Sequence, residues 1–216
     1  MNKPILAVIF DLDGVIVSTD DCHYEGWKMM ADKEGIYFDR TINERLRGVS
    51  RMASLDIILE RASKGYSEEE KLALATYKND AYKQLVRKLT PADILPGAME
   101  TLKQLKAAGV RVAIGSSSKN TPIILERIGL ADWFDAVADG NQISHSKPDP
   151  EVFLLAAQKL GIAPEQCLVV EDADAGVEAA LAGGMQVLGV GSASGNPKAT
   201  LTAASLDMIQ LWQEIK

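Results

Sequence analysis

Ile5-Leu6-Ala7-Val8-Ile9-Phe10-Asp11-Leu12-Asp13-Gly14 is a short apolar run that stops on two acids. Six consecutive apolar residues, three of them β-branched, are too few for a buried helix and show no alternation. That pattern predicts a strand buried on both faces. Residues 110–115 (VRVAIG), 167–170 (CLVV) and 186–190 (QVLGV) read the same way. Helical patterns lie between these runs. In 97–108, Met99, Leu102 and Leu105 share a face, and Gly109 closes the segment. Residues 120–128 precede Gly129. Residues 150–160 start on a first-turn Pro150 and stop at Gly161, and 173–182 end at Gly183-Gly184. Strands alternating with helices predict right-handed crossovers and an α/β, Rossmann-like parallel sheet covered on both sides.

Residues 15–92 break the rhythm and read as all-helical. Residues 21–34 and 54–62 are candidate helices. Ser67-Glu68-Glu69-Glu70 resembles a capped start, after which Leu72, Ala75, Tyr82, Val86 and Leu89 keep one apolar face. Pro91 and Pro96-Gly97 mark the return to the α/β pattern. The expected organisation is a core of 1–14 and 93–216 with an inserted helical cap of 15–92. Ligands of open parallel sheets bind beyond the carboxyl ends of the strands, so an insertion leaving that edge is expected to cover the site and exclude water on closing.

The 216 residues suit one core domain plus an insertion. A hydrophobic fraction of 47% with 25% charged residues is that of an ordinary globular protein. The net charge of -7 argues against nucleic-acid binding but not against a local cationic pocket. The two cysteines, Cys22 and Cys167, have no metal spacing, so reduced thiols in a cytoplasmic protein are expected. The first apolar run is too short for a signal peptide or membrane span. The chain is expected to be a monomer, with no membrane or nucleic-acid partner.

Four short segments can carry chemistry. Asp11 at a strand end can attack phosphorus without a base, and Asp13 can protonate a leaving oxygen and deprotonate an attacking one. The alternative is a pair of turn aspartates. Glu171-Asp172, also at a strand end, are hard oxygen ligands suited to Mg²⁺, or Asp172 caps the next helix and leaves Glu171 without a task. Ser116-Ser117-Ser118-Lys119-Asn120 can hold phosphate oxygens or form a Ser-rich helix cap. Lys147 in Lys147-Pro148-Asp149-Pro150 can neutralise a phosphoryl group, or it is an exposed loop lysine. His145 is read as a loop residue.

In this order and placement the four segments resemble the motifs of the haloacid dehalogenase superfamily, and the resemblance spans the chain. It implies that Asp11 is the nucleophile and Asp13 the acid–base. It also implies that Ser116 and Lys147 bind the transferring phosphoryl group, and that Mg²⁺ sits on Asp11, the Asp13 backbone carbonyl, Glu171 and Asp172. Dehalogenases usually lack the second acid, so phosphoryl transfer is expected.

Within the superfamily the insertion resembles the β-phosphoglucomutase family. His23 followed by Trp27, Gly48-Val49-Ser50-Arg51 with Ser54, Lys78-Asn79-Asp80 and Ser118-Lys119-Asn120 match that family's segments. The resemblance implies an isomerase acting on a small sugar phosphate. Its substrate contacts would be Thr19, His23, Trp27, Gly48, Val49, Ser50, Arg51, Ser54, Lys78, Ser116, Ser117, Ser118, Lys119, Asn120 and Lys147. A mutase needs a second phosphate site, for which the planar fork of Arg51 is suited. His23 could bond Asp13 and report substrate entry, or it and Trp27 simply pack the insertion. Met52-Ala53 departs from relatives that carry an acid there. The alternative is a sugar-phosphate phosphatase on the same scaffold.

Overall fold

The computed structural model describes residues 4–46 and 50–215, so Gly48 and Val49 lie outside the described residues. The chain forms two compact units, Thr19–Leu89 on one hand and Met1–Ser18 with Thr90–Lys216 on the other.

The unit Thr19–Leu89 is helical. It holds α1 (Asp20–Lys33), α2 (Arg40–Glu44), α3 (Arg51–Leu59) and α4 (Glu68–Val86). α4 is the spine against which α1 and α3 pack, burying Trp27, Met30, Leu55, Ile58 and Leu74 among others. Its start is a reciprocal box. The Glu70 N–H donates to Ser67 Oγ at 3.2 Å, and the Ser67 N–H donates to Glu70 Oε2 at 2.7 Å. α3 begins three residues before the expected 54, because Ser50 caps it and accepts the Ala53 N–H at 3.3 Å. α2 was not legible as a helix. Five residues show too little periodicity, and it is held by Asp39, whose Oδ1 accepts the Ile42 N–H at 2.9 Å.

The other unit is a six-stranded sheet of β1 (Ala7–Phe10), β2 (Arg111–Gly115), β3 (Ala136–Ala138), β4 (Cys167–Glu171), β5 (Gln186–Gly189) and β6 (Leu201–Thr202). The order is β3-β2-β1-β4-β5-β6, and every neighbouring pair is parallel. It is joined by α5 (Ala98–Ala107), α6 (Thr121–Arg127), α7 (Glu151–Leu160), α8 (Asp174–Ala182) and α9 (Leu211–Glu214). Ala7, Ile9, Ala113, Val169 and Val187 share one cluster with Val152 and Phe153 of α7 and Val177 and Ala180 of α8. The alternate residues Val8, Phe10, Val112, Ile114, Leu168 and Val170 are buried as well. Covering both faces of a period-two strand is what makes its sequence continuously apolar. β3 and β6, three and two residues long, carry no such run and were not foreseen. Among the described residues no helix is long and apolar enough to cross a membrane.

Candidate active site

β1 lies between β2 and β4, with Phe10 opposite both Ile114 and Val170. One residue further, the Asp11 N–H donates to the Val170 carbonyl at 2.9 Å, which brings Asp11 beside the β4 end at Glu171. The same register carries the β2 end, and then Ser116, to this edge. The Ser116 N–H donates to the Ala138 carbonyl of β3 at 3.1 Å. Parallel pairing thus collects candidate residues from distant parts of the chain simply because each ends a strand.

Asp11 and Glu171 are 7% and 2% exposed. Lys147 Nζ donates to Glu171 Oε2 at 2.8 Å and to Asp11 Oδ1, and it lies 4.6 Å from the Phe153 ring centre. Burial works to lower the Lys147 pKa, but the charges of Asp11 and Glu171 outweigh it and the net shift is upward. Glu171 is pushed up to about 8, first by burial and further by Asp11 and Asp172, against the pull of Lys147. Oxygens of Asp11, Glu171 and Asp172 lie within 4.8 Å of one another. Three carboxylates around one ammonium leave an excess of negative charge on hard oxygen donors, and that donor set fits a divalent cation.

The loop after β1 folds tightly. The Ile16 and Val17 N–H groups both donate to the Leu12 carbonyl, at 3.0 and 3.1 Å, and the Gly14 N–H donates to Val17 O at 2.8 Å. Asp13 bridges Val17 and is half-buried. Gly14 has φ of 80°, and a Cβ there would stand 2.1 Å from Asp172 Oδ2. Only glycine serves both demands.

In the serine loop, Ser118 N–H donates to Ser116 Oγ and Asn120 N–H donates to Ser118 Oγ, each at 3.2 Å. The Lys147 N–H approaches Ser117 Oγ at 3.5 Å, joining this loop to the lysine. Ser116 and Asn120 are buried, Ser117 and Ser118 half-buried, and Lys119 exposed. His145 is exposed. Its N–H and ring Nδ1 meet Glu151 Oε2 at 2.7 and 3.2 Å, a loop-capping arrangement.

The helical unit gathers a second set of residues. Lys78 is buried, with Nζ 2.8 Å from His23 Nδ1 and 4.9 and 4.8 Å from the ring centres of Trp27 and Tyr82. The His23 and Tyr82 rings lie 4.2 Å apart, and the Tyr82 hydroxyl donates to Thr19 Oγ1 at 3.1 Å. Burial, then the charges of Lys78 and Arg51, lowers the His23 pKa to about 3. An ammonium donating to Nδ1 leaves the proton of the neutral ring on Nε2. Ser54 is buried, and Arg51 opens α3.

A pH dependence follows. His23 takes up a proton near 6.5 when unfolded but only near 3 when folded, so its share of stability is complete above 6.5 and is lost as pH falls through that interval. Lys78→Met is expected to raise the His23 pKa in an NMR titration and to flatten the fall in urea stability between pH 7 and 5. An unmoved His23 titration would refute the assignment.

A family profile described as haloacid dehalogenase-like hydrolase matches residues 5–184. The chain belongs to the haloacid dehalogenase-like family. It is 46% identical over 187 residues to "Beta-phosphoglucomutase" of Bacillus subtilis (strain 168), covering 86% of this chain and 83% of that one. It is 30% identical over 210 residues to "Phosphorylated carbohydrates phosphatase" of Thermotoga maritima, covering 94% of each. The fold superposes on the 2.27 Å crystal structure of β-phosphoglucomutase from Clostridium difficile with a TM-score of 0.85 and 41% identity, covering 97% and 96% of the two chains.

In this haloacid dehalogenase-like chain the sequence reading missed the support of the serine loop. Asn141 Nδ2 donates to the Lys119 carbonyl at 2.9 Å, and the Gly140 N–H donates to Ser118 O at 3.2 Å. A Cβ on Gly140 would sit 2.2 Å from the Ser117 carbonyl. The only sequence signal was a turn-like Asp139-Gly140-Asn141 after an apolar triplet. Tyr82, read as one more residue of an apolar stripe, bonds Thr19 and sets its ring tilted against that of His23.

Proposed function

We propose that this protein is an isomerase interconverting β-D-glucose 1-phosphate and glucose 6-phosphate through an aspartyl phosphate on Asp11. The observation that carries the reading is the buried Lys147 ammonium bonded to both Asp11 and Glu171 at the sheet edge. That is a nucleophilic carboxylate held beside a fixed positive charge. The mutase relative at 46% identity supports the choice of substrate.

Phosphorylated Asp11 gives its phosphoryl group to the 6-hydroxyl of β-glucose 1-phosphate. The Asp11 O–P bond breaks, the O6–P bond forms, and the Asp13 carboxylate takes the hydroxyl proton. The resulting β-glucose 1,6-bisphosphate turns end for end. Asp11 then attacks the 1-phosphoryl group, the bond from phosphorus to the anomeric oxygen breaks, and Asp13 returns its proton to that oxygen. Glucose 6-phosphate leaves and Asp11 is again phosphorylated. Mg²⁺, for which Asp11, the Asp13 backbone carbonyl, Glu171 and Asp172 are the proposed ligands, would neutralise charge on the transferring group. Lys147 and the Ser116–Asn120 loop orient that group. In the helical unit, Ser50, Arg51 and Ser54 are assigned to the distal phosphate, and Thr19, His23, Trp27 and Lys78 to the sugar side. Cys22 and Cys167, neither of them in a disulfide, accord with a reducing, cytoplasmic setting.

The rival reading, a sugar-phosphate phosphatase, is favoured by the Thermotoga relative. Incubation with β-glucose 1-phosphate, Mg²⁺ and a trace of bisphosphate separates the two. Glucose 6-phosphate is the expected main product, whereas inorganic phosphate as the main product overturns the mutase. Asp13→Asn is expected to lower kcat by roughly 10²–10⁴-fold, with melting temperature unchanged.

A further inference from the structure

Gly176 lies inside α8, where a glycine lowers helix stability without an obvious return. Its neighbour explains it. A Cβ built on Gly176 would stand 2.0 Å from Glu171 Cδ, 2.3 Å from Cγ and 2.4 Å from Oε1. The Glu171 side chain therefore occupies the space that any other residue at 176 would fill. From that position Oε1 accepts the Ala173 N–H at 3.2 Å and Oε2 accepts Lys147 Nζ at 2.8 Å. Neither bond alone keeps a flexible glutamate folded over the first turn of a helix; the notch gives it room to lie there. The adjacent acid is treated alike, since a Cβ on Gly14 would meet Asp172 Oδ2 at 2.1 Å.

We propose that Gly176 is a positioning residue that seats the Glu171 carboxylate for a divalent cation, with Gly14 doing the same for Asp172. The inference rests on the metal site of the proposed function, so its test separates the two. Gly176 is the cleaner probe, because Gly14 also carries a positive φ.

The experiment is a four-protein cycle: wild type, Gly176→Ala, Glu171→Ala and both together. Each is read by metal-free melting temperature and by Mg²⁺ titration calorimetry. In wild type, Gly176→Ala should lower the melting temperature, because the methyl group evicts Glu171. In the Glu171→Ala background the same change should raise it by about 2 °C, the ordinary gain of alanine over glycine in a helix. Gly176→Ala should weaken Mg²⁺ binding about tenfold or more, as expected when a supporting neighbour of a ligand is lost. The same sign of temperature shift in both backgrounds overturns the inference. Loss of Mg²⁺ affinity in Glu171→Ala but not in Gly176→Ala overturns it too and leaves the proposed function standing. Unchanged Mg²⁺ affinity in both variants overturns the metal site first and the inference with it.

Discussion

Asp11→Asn is expected to reduce turnover by about 10⁴–10⁶-fold, the scale on which loss of a covalent nucleophile is felt. The same variant is expected to melt no lower than wild type. The two halves have one physical origin. Asp11, Glu171 and Asp172 crowd their oxygens within 4.8 Å, with the single Lys147 ammonium bonded to two of them. An asparagine keeps the size of Asp11 and retains an oxygen to accept from Lys147, so packing survives. It removes one of the like charges that push Glu171 up, so repulsion falls. It also removes the carboxylate proposed to carry the phosphoryl group. Sites built for chemistry hold strain of this sort, and relieving it trades activity for stability. Incubation with radiolabelled glucose 1,6-bisphosphate gives a direct reading. Wild type should acquire a hydroxylamine-labile label and the variant none. Full activity in the variant would dispose of the nucleophile assignment, and a large drop in melting temperature would dispose of the charge argument.

Much of this site was legible because in a parallel sheet function gathers where strands end. The runs before Asp11, Ser116 and Glu171 were visible as apolar stretches, and the polar residues after them were candidates on that ground alone. What sequence could not show was which strands are neighbours. The order β3-β2-β1-β4-β5-β6 places β4 beside β1 although about 155 residues separate them, and that pairing is what sets Glu171 next to Asp11. Lys147 lies in the loop beyond β3, a strand with no apolar run to reveal it, and ends no periodic segment. Read locally it was as well explained as a loop lysine, and only its contacts distinguish it. The glycines Gly14, Gly140 and Gly176 were invisible for a different reason. Their role is space for another residue's atoms, and a missing side chain leaves no pattern. In the helical unit the apolar stripe of α4 was found, but its polar use was not, because Tyr82 serves both.

Lys147→Met should produce the largest loss of stability of any single change at the site. Methionine roughly matches the length of lysine and can still pack on Phe153, whose ring lies 4.6 Å from Nζ, so the change is chiefly one of charge. Removing the ammonium strips Asp11 and Glu171 of their common partner at almost no solvent exposure. Uncompensated buried charges of this kind cost about 3–5 kcal/mol, which in a chain of this size is a fall of roughly 10 °C in melting temperature. Activity should drop about 10²–10³-fold as well, since the proposed mechanism loses its fixed positive charge beside Asp11. Two further measurements show that charge, not shape, is responsible. Adding Glu171→Gln to Lys147→Met should recover part of the lost stability, whereas the two changes would simply add if packing were at fault. Mg²⁺ should raise the melting temperature of Lys147→Met more than that of wild type, because the three carboxylates then lack their internal cation and gain more from an external one. A Lys147→Met protein that melts with wild type, or that Mg²⁺ stabilises no further, would mean that the carboxylates shed their charge by taking up protons, and that Lys147 is not what holds the site together.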